Sequence, residues 1–117
     1  MMERRQSIRT ECEFPSNFRN LEAGSNSHKI CETLVKNISR GGICIRVDEF
    51  IPIRSPLYFY LQLPNHETIE VRLTPAWIAE MPNWGTYEMG ACFVEMSAEE
   101  ENAIQSFQDQ DLQEKTP

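Results

Sequence analysis

A chain of 117 residues fits one domain with one modest core. Charged residues at 25% and hydrophobic residues at 40% exclude a chain disordered throughout, and no apolar run approaches the ~18 residues of a bilayer span. The formal net charge of −7 argues against general affinity for a nucleic-acid polymer, which takes a basic surface.

Residues 1–9 read as a flexible arginine-rich arm, with Arg4, Arg5 and Arg9 grouped near the start. The arm is charged and has no apolar signal-peptide core, so a cytoplasmic location without membrane insertion is expected. Ile8 to Phe14 alternates, with Ile8, Thr10, Cys12 and Phe14 on one face, as a half-buried strand does. Pro15 and Ser16 are expected to interrupt it, with Phe18 to Leu21 resuming as an edge strand before a loop through His28. Lys29 to Val35 reads as the second strand. Asn37 to Gly42 is expected to turn the chain, its two glycines supplying φ > 0 in a turn or bulge. Ile43, Ile45 and Val47 then share a face opposite Cys44 and Arg46.

Asp48 to Pro56 is a connection holding two prolines. Leu57, Phe59, Leu61 and Leu63 alternate with polar and tyrosine positions, Pro64-Asn65-His66 turns, and Ile69, Val71 and Leu73 alternate again. Pro75 should break or bulge this strand, which continues through Trp77. Met81 to Gly85 is a turn and Tyr87 to Glu95 the last strand, with Gly90 marking a bulge or close packing. Ser97 and Glu100 form the pattern of a capping box, Glu99 to Glu101 suit the positive end of a helix dipole, and Ile104, Phe107 and Leu112 would face inward. Six short strands joined by tight turns predict an all-β fold, an antiparallel barrel over 8–96, with a C-terminal helix over 97–113 in the same domain.

Two stretches carry candidate chemistry. Asn37 and Ser39 are two apart, so in extended chain their side chains share a face beside the bare backbone of Gly41 and Gly42. That suits a flat, hydrogen-bonding ligand, although Asn, Ser and Gly are also ordinary hairpin residues. Arg5 and Arg9, with Arg4 just before, offer guanidinium forks for phosphates, planar stacking and the O6/N7 edge of guanine. A solvated basic tail is the plainer reading of the arm alone.

The R-x-x-x-R of Arg5 to Arg9, with the N-x-S-x-x-G of Asn37, Ser39 and Gly42 downstream, resembles the PilZ family, bacterial receptors for the second messenger cyclic di-GMP. The resemblance extends to Trp77 on its strand, to Gly90-Ala91-Cys92-Phe93, and to the helix start after Met96. It implies a six-stranded antiparallel barrel with the ligand on its outer surface. Arg5 and Arg9 would grip phosphates and guanine edges, Asn37 and Ser39 would bond a guanine, and Gly42 would hold the strand geometry. Arg40 would be a neighbour of the ligand. Asn37 stands where the family more often has aspartate, and its neutral amide oxygen makes a weaker bond to the guanine amine. Arg4 implies an added stacking cation, and so two cyclic di-GMP molecules bound as an intercalated dimer. No cofactor is implied.

The expected function is a non-catalytic receptor whose arm orders over the ligand and so remodels a surface for an unidentified effector protein, in motility, biofilm or exopolysaccharide control. The alternatives are a PilZ-like adaptor that binds protein but no nucleotide, a small nucleotide phosphodiesterase, and a single-strand nucleic-acid binder. The phosphodiesterase would need metal ligands near the arginines, and His28 and His66 sit apart in turns. Cys12, Cys31, Cys44 and Cys92, widely spaced with no C-x-x-C, are expected as core-packing thiols. Trp77 is expected in the core, or else flanking the ligand, and Trp84 at the surface.

Overall fold

The computed structural model describes residues 9–22, 24, 28–65, 67–82 and 85–115, with side chains through 111. Ile8, His66, Trp84 and the side chain of Leu112 lie outside the described residues. Six strands form: β1 (Thr10–Asn20), β2 (Cys31–Ile38), β3 (Gly42–Val47), β4 (Leu57–Gln62), β5 (Thr68–Met81) and β6 (Thr86–Val94). One helix comes last, α1 (Ala98–Lys115). Every strand pairing is antiparallel, and the sheet closes on itself in the order β1-β2-β3-β6-β5-β4. Closure removes the exposed edges that an open sheet would leave for aggregation.

The barrel interior is filled as the alternation predicts. Ile43, Ile45 and Val47 from β3, Leu57, Phe59 and Leu61 from β4, and Val71 and Leu73 from β5 are all buried. Phe18 stacks on Phe59 with ring centroids 5.8 Å apart. The helix seals the end of the barrel where β1 begins and β2 finishes. Ile104 and Phe107 are buried, Phe107 meets Phe14 edge-on at 5.8 Å, and Gln108 Nε2 donates to Thr10 Oγ1 (3.0 Å) and the Ile38 carbonyl (3.3 Å). Its start is the expected capping box. The Glu100 N–H donates to Ser97 Oγ at 3.1 Å, and the Ser97 N–H donates to Glu100 Oε1 at 3.0 Å.

Pro15 and Ser16 do not interrupt β1, which runs unbroken from Thr10 to Asn20. The β1–β4 ladder begins only at Asn17, so the missing N–H of Pro15 lies where β1 has β2 alone beside it. Ser16 then stands in for the absent ladder: its buried hydroxyl accepts from the Gln62 N–H at 3.1 Å.

Three shifts interrupt the pairing register, in β1 between Glu11 and Phe14, in β2 between Val35 and Asn37, and in β5 between Pro75 and Trp77. Each inserts a residue on one strand; in β2 and β5 this reverses the facing of the residues beyond it, whereas in β1 the inward positions Cys12, Phe14, Ser16 and Phe18 keep their alternation through the shift. The shifts in β2 and β5 decide which side chains Asn37 and Trp77 present to the outer surface.

Candidate functional site

β2 extends further than expected, carrying Asn37 and Ile38 within the strand, so that only Ser39, Arg40 and Gly41 turn the chain into β3. Val35 pairs with Ile45, and Asn37, not Lys36, pairs with Cys44. Lys36 is the extra residue, and it puts the half-buried Asn37 on the outer surface while Ile38 returns to the core. Simple alternation therefore does not set the facing of Asn37 and Ser39. Ser39 lies past the strand end and is buried.

The turn is braced from within. The Ser39 N–H donates to the Gly42 carbonyl at 2.9 Å, while its Oγ accepts from the Gly41 N–H at 3.2 Å and donates to the Gly42 carbonyl at 3.4 Å. The Phe93 N–H donates to the Gly41 carbonyl at 3.0 Å and ties the turn to β6. Neither Gly41 nor Gly42 has a positive φ, so the left-handed backbone expected of this pair is absent. Gly42 is required by proximity instead. A Cβ there would lie 2.2 Å from the Ala91 carbonyl oxygen. β3 and β6 approach closely because that side chain is absent.

The arm meets the turn through Arg9, whose guanidinium donates to Asn37 Oδ1 at 2.5 Å across 28 positions of sequence. Arg4 and Arg5 lie outside the described residues. Arg40 is exposed at the tip of the turn. Of the seven candidate residues, the structure joins Arg9 to Asn37 and Ser39 to Gly42. Arg9, Ser39 and Gly42 line one groove of about 390 Å³ together with Gly41, Trp77 and Cys92.

Trp77 is not core. The bulge at Ala76 leaves Pro75 facing in, opposite Ala91, and sets Trp77 opposite Gly90 with 44% of its surface exposed. Gly90 marks close packing, not a bulge of its own strand: a Cβ on it would lie 2.1 Å from Trp77 Nε1. The indole rests on bare backbone. Cys92 is likewise not a core thiol; it is exposed and lines the groove, while Cys12 and Cys31 are half-buried against the core and only Cys44 is buried.

Cys44 reports the electrostatics beneath the groove. Burial pushes its thiol pKa up, Glu88 and Glu11 push the same way, and Arg9 and Lys36 oppose them. Lys36 is paired with Glu13 at 3.0 Å and, as hydrogen-bond donor and cation, holds that carboxyl below its usual value. A second groove, of about 440 Å³, lies where β2 begins and β3 ends, walled by Glu32, Asp48 and Glu49, with Lys29 as its one cation among the described residues. Its acidic wall disfavours an anion, whereas the smaller groove has a guanidinium, hydrogen-bonding backbone and an aromatic face. Among the described residues, no group of three His, Cys, Asp or Glu side chains could hold a metal ion, and no helix is long and apolar enough to cross a membrane.

Comparison with known proteins agrees with this architecture. No curated protein sequence matches the chain. Among solved structures it is similar to the Bacillus subtilis inhibitor of motility MotI/DgrA, 22% identical with a TM-score of 0.79, over 98% of this chain and 54% of that one. It is similar to the PilZ domain of Escherichia coli YcgR, solved with cyclic di-GMP, at 14% identity and a TM-score of 0.73 over 96% of this chain and 94% of that one. The K. pneumonia MrkH complex with cyclic di-GMP gives 14% identity and a TM-score of 0.74, over 97% of this chain and 54% of that one. The chain thus spans about half the length of MotI and MrkH. At these identities the likeness is one of fold. The PilZ domain family matches residues 3–110, which takes in most of the arm, the whole barrel and most of the helix, and the chain therefore belongs to the PilZ domain family.

Proposed function

We propose that the groove between the Ser39–Gly42 turn and Trp77 binds cyclic di-GMP, and that the protein is a non-catalytic receptor for it. One observation supports this reading: the Arg9–Asn37 hydrogen bond, which joins the last residue of the R-x-x-x-R motif to the first residue of the N-x-S-x-x-G motif beside the groove. The Asn37 amide oxygen has two lone pairs, so Arg9 leaves capacity for a guanine N–H. Arg9 supplies a cation for a phosphate or for the guanine O6/N7 edge. Ser39 and the backbone around Gly41 and Gly42 offer further polar contacts, and the exposed face of Trp77 suits a purine ring.

The remaining assignments extend the same reading. Arg4 and Arg5 close over the ligand from the arm, Arg40 borders it, and Arg4 stacks within an intercalated dimer, so two molecules bind per protomer. Binding remodels the surface for an unidentified effector protein in the cytoplasm, in control of motility, biofilm or exopolysaccharide.

Calorimetric titration with cyclic di-GMP tests the reading. Wild type binds with a ratio near two ligands per chain. Arg9→Ala loses a charge-assisted hydrogen bond, about 1.5–3 kcal/mol, and weakens binding by roughly tenfold or more, while Asn37→Ala loses a neutral one, about 0.5–1.5 kcal/mol, and weakens binding by roughly two- to tenfold. Absence of binding by wild type would refute the receptor and leave the nucleotide-free adaptor. A ratio near one would refute the dimer alone.

A further inference from the structure

We propose that Gly90 is a positioning residue for the ligand: it seats the Trp77 indole against the sheet and so fixes the aromatic wall of the groove. This rests on the reading that the groove takes cyclic di-GMP. Trp77 is held outward by two independent features. The bulge at Ala76 turns it from the interior to the outer surface, opposite Gly90. The missing side chain of Gly90 then leaves room for the ring itself. A Cβ at position 90 would fall 2.1 Å from Nε1, 2.5 Å from Cε2 and 2.9 Å from Cδ1 of Trp77. All three atoms belong to the five-membered ring, so that ring lies over the Gly90 backbone.

The seat matters because of its surroundings. One face of the indole is taken by Gly90, yet 44% of Trp77 remains exposed. The indole shares the groove with Arg9, Ser39, Gly41 and Gly42. An aromatic ring already fixed in place contributes stacking without an ordering cost at the moment of binding. Any side chain at position 90 lifts the ring away from the sheet, and the wall becomes a mobile side chain. Gly90 has no ligand-contacting atoms of its own in this role. It acts through Trp77.

The test is a double-mutant cycle with Gly90→Ala and Trp77→Ala, read by calorimetric titration with cyclic di-GMP. Each single variant is expected to weaken binding by about tenfold. The double variant is expected to bind no more weakly than Trp77→Ala, because the three atoms nearest an alanine Cβ at 90 all belong to the indole that Trp77→Ala removes. A Gly90→Ala protein with wild-type affinity would overturn the proposal, as would a double variant whose loss is the product of the two single losses.

Two further readouts separate positioning from a general role in the fold. The urea midpoint of Trp77→Ala should be unchanged on adding Gly90→Ala; a fall there would mean that the glycine serves the backbone, and would overturn the proposal. In a Trp84→Phe background Trp77 is the sole indole. There Gly90→Ala should move the free protein's fluorescence maximum to longer wavelength, and an unmoved maximum would also overturn it. This last readout needs no ligand. Failure of wild type to bind cyclic di-GMP would therefore reject the receptor function and leave the seating of the indole to be judged by the emission spectrum.

Discussion

Replacing Gly42 with alanine probes the close approach of β3 and β6. The added Cβ would start 2.2 Å from the Ala91 carbonyl oxygen and 3.2 Å from the Ala91 carbonyl carbon and Cys92 Cα. All three are backbone atoms, so no side chain can swing aside. Ordinary contact near 3.5 Å requires the strands to part by about 1 Å, which breaks an adjacent N–H···O bond. Overpacking costs about 1–3 kcal/mol and one lost ladder bond about 1 kcal/mol, for a total of about 2–4 kcal/mol. With a urea slope of about 2 kcal/mol/M, the middle of the usual range, the unfolding midpoint should fall by about 1–2 M. Asparagine, which tolerates positive φ, separates sterics from backbone conformation. Gly42→Asn should be at least as damaging as Gly42→Ala, whereas at Gly85, with φ of +70° and open space around its Cβ position, asparagine should be tolerated better than alanine. An unchanged midpoint for Gly42→Ala would refute the reasoning, as would rescue by asparagine.

Ser97→Ala removes the hydroxyl that caps the Glu100 N–H and should cost about 1 kcal/mol in urea unfolding; no loss would mean the helix start is held by its packing alone. Thiol labelling of the native protein with a maleimide, with peptide mapping afterwards, should modify exposed Cys92 well before buried Cys44, and the reverse order would contradict the outward facing of Cys92. Burial raises the thiol pKa of both Cys44 and Cys31 above the ordinary 9.0. Their protonated forms are favoured in the fold, so this contribution is complete below the unfolded thiol pKa and is lost as pH rises through the raised values. The urea midpoint should therefore fall on going from neutral to alkaline pH, less steeply in Cys44→Ala; a midpoint that rises in that range would contradict the burial of the thiols.

Much of the barrel is legible from alternation, because a sheet with one buried face writes its period directly into the chain. Ile43, Ile45 and Val47, and Leu57, Phe59 and Leu61, are inside as their spacing indicates. The capping box is legible for the same kind of reason, since both of its hydrogen bonds are local. Pairing between distant strands sets the features that alternation misses. Trp77 comes after Leu73 and Pro75 in step, so alternation alone sends it inward. Only the extra residue Ala76, visible in the register against Gly90 and Ala91, sends it out. Asn37 comes after Thr33 and Val35 in the same way and is turned out by Lys36.

Glycine and proline mislead for related reasons. Gly42 looks like a turn glycine in one dimension, but its requirement comes from Ala91, which is 49 positions away and adjacent only once β3 and β6 pair. Pro15 looks like a strand breaker, but β1 lacks its β4 neighbour at that point and Ser16 supplies the hydrogen bond to Gln62. The motifs Arg5 to Arg9 and Asn37 to Gly42 can be singled out by residue type and order. That Arg9 lands on Asn37 cannot be read from spacing, since the contact depends on the pairing of β1 with β2.

The central claim is that cyclic di-GMP lies in the groove between the Ser39–Gly42 turn and Trp77. It is tested most directly by an amide and indole NMR titration of the full chain. Addition of cyclic di-GMP should shift the Trp77 indole N–H, the Arg9 and Asn37 side chains and the amides of Ser39 to Gly42, while Asp48 to Phe50 at the acidic groove stay in place. Shifts confined to Asp48 to Phe50, or no shifts at all, would contradict it.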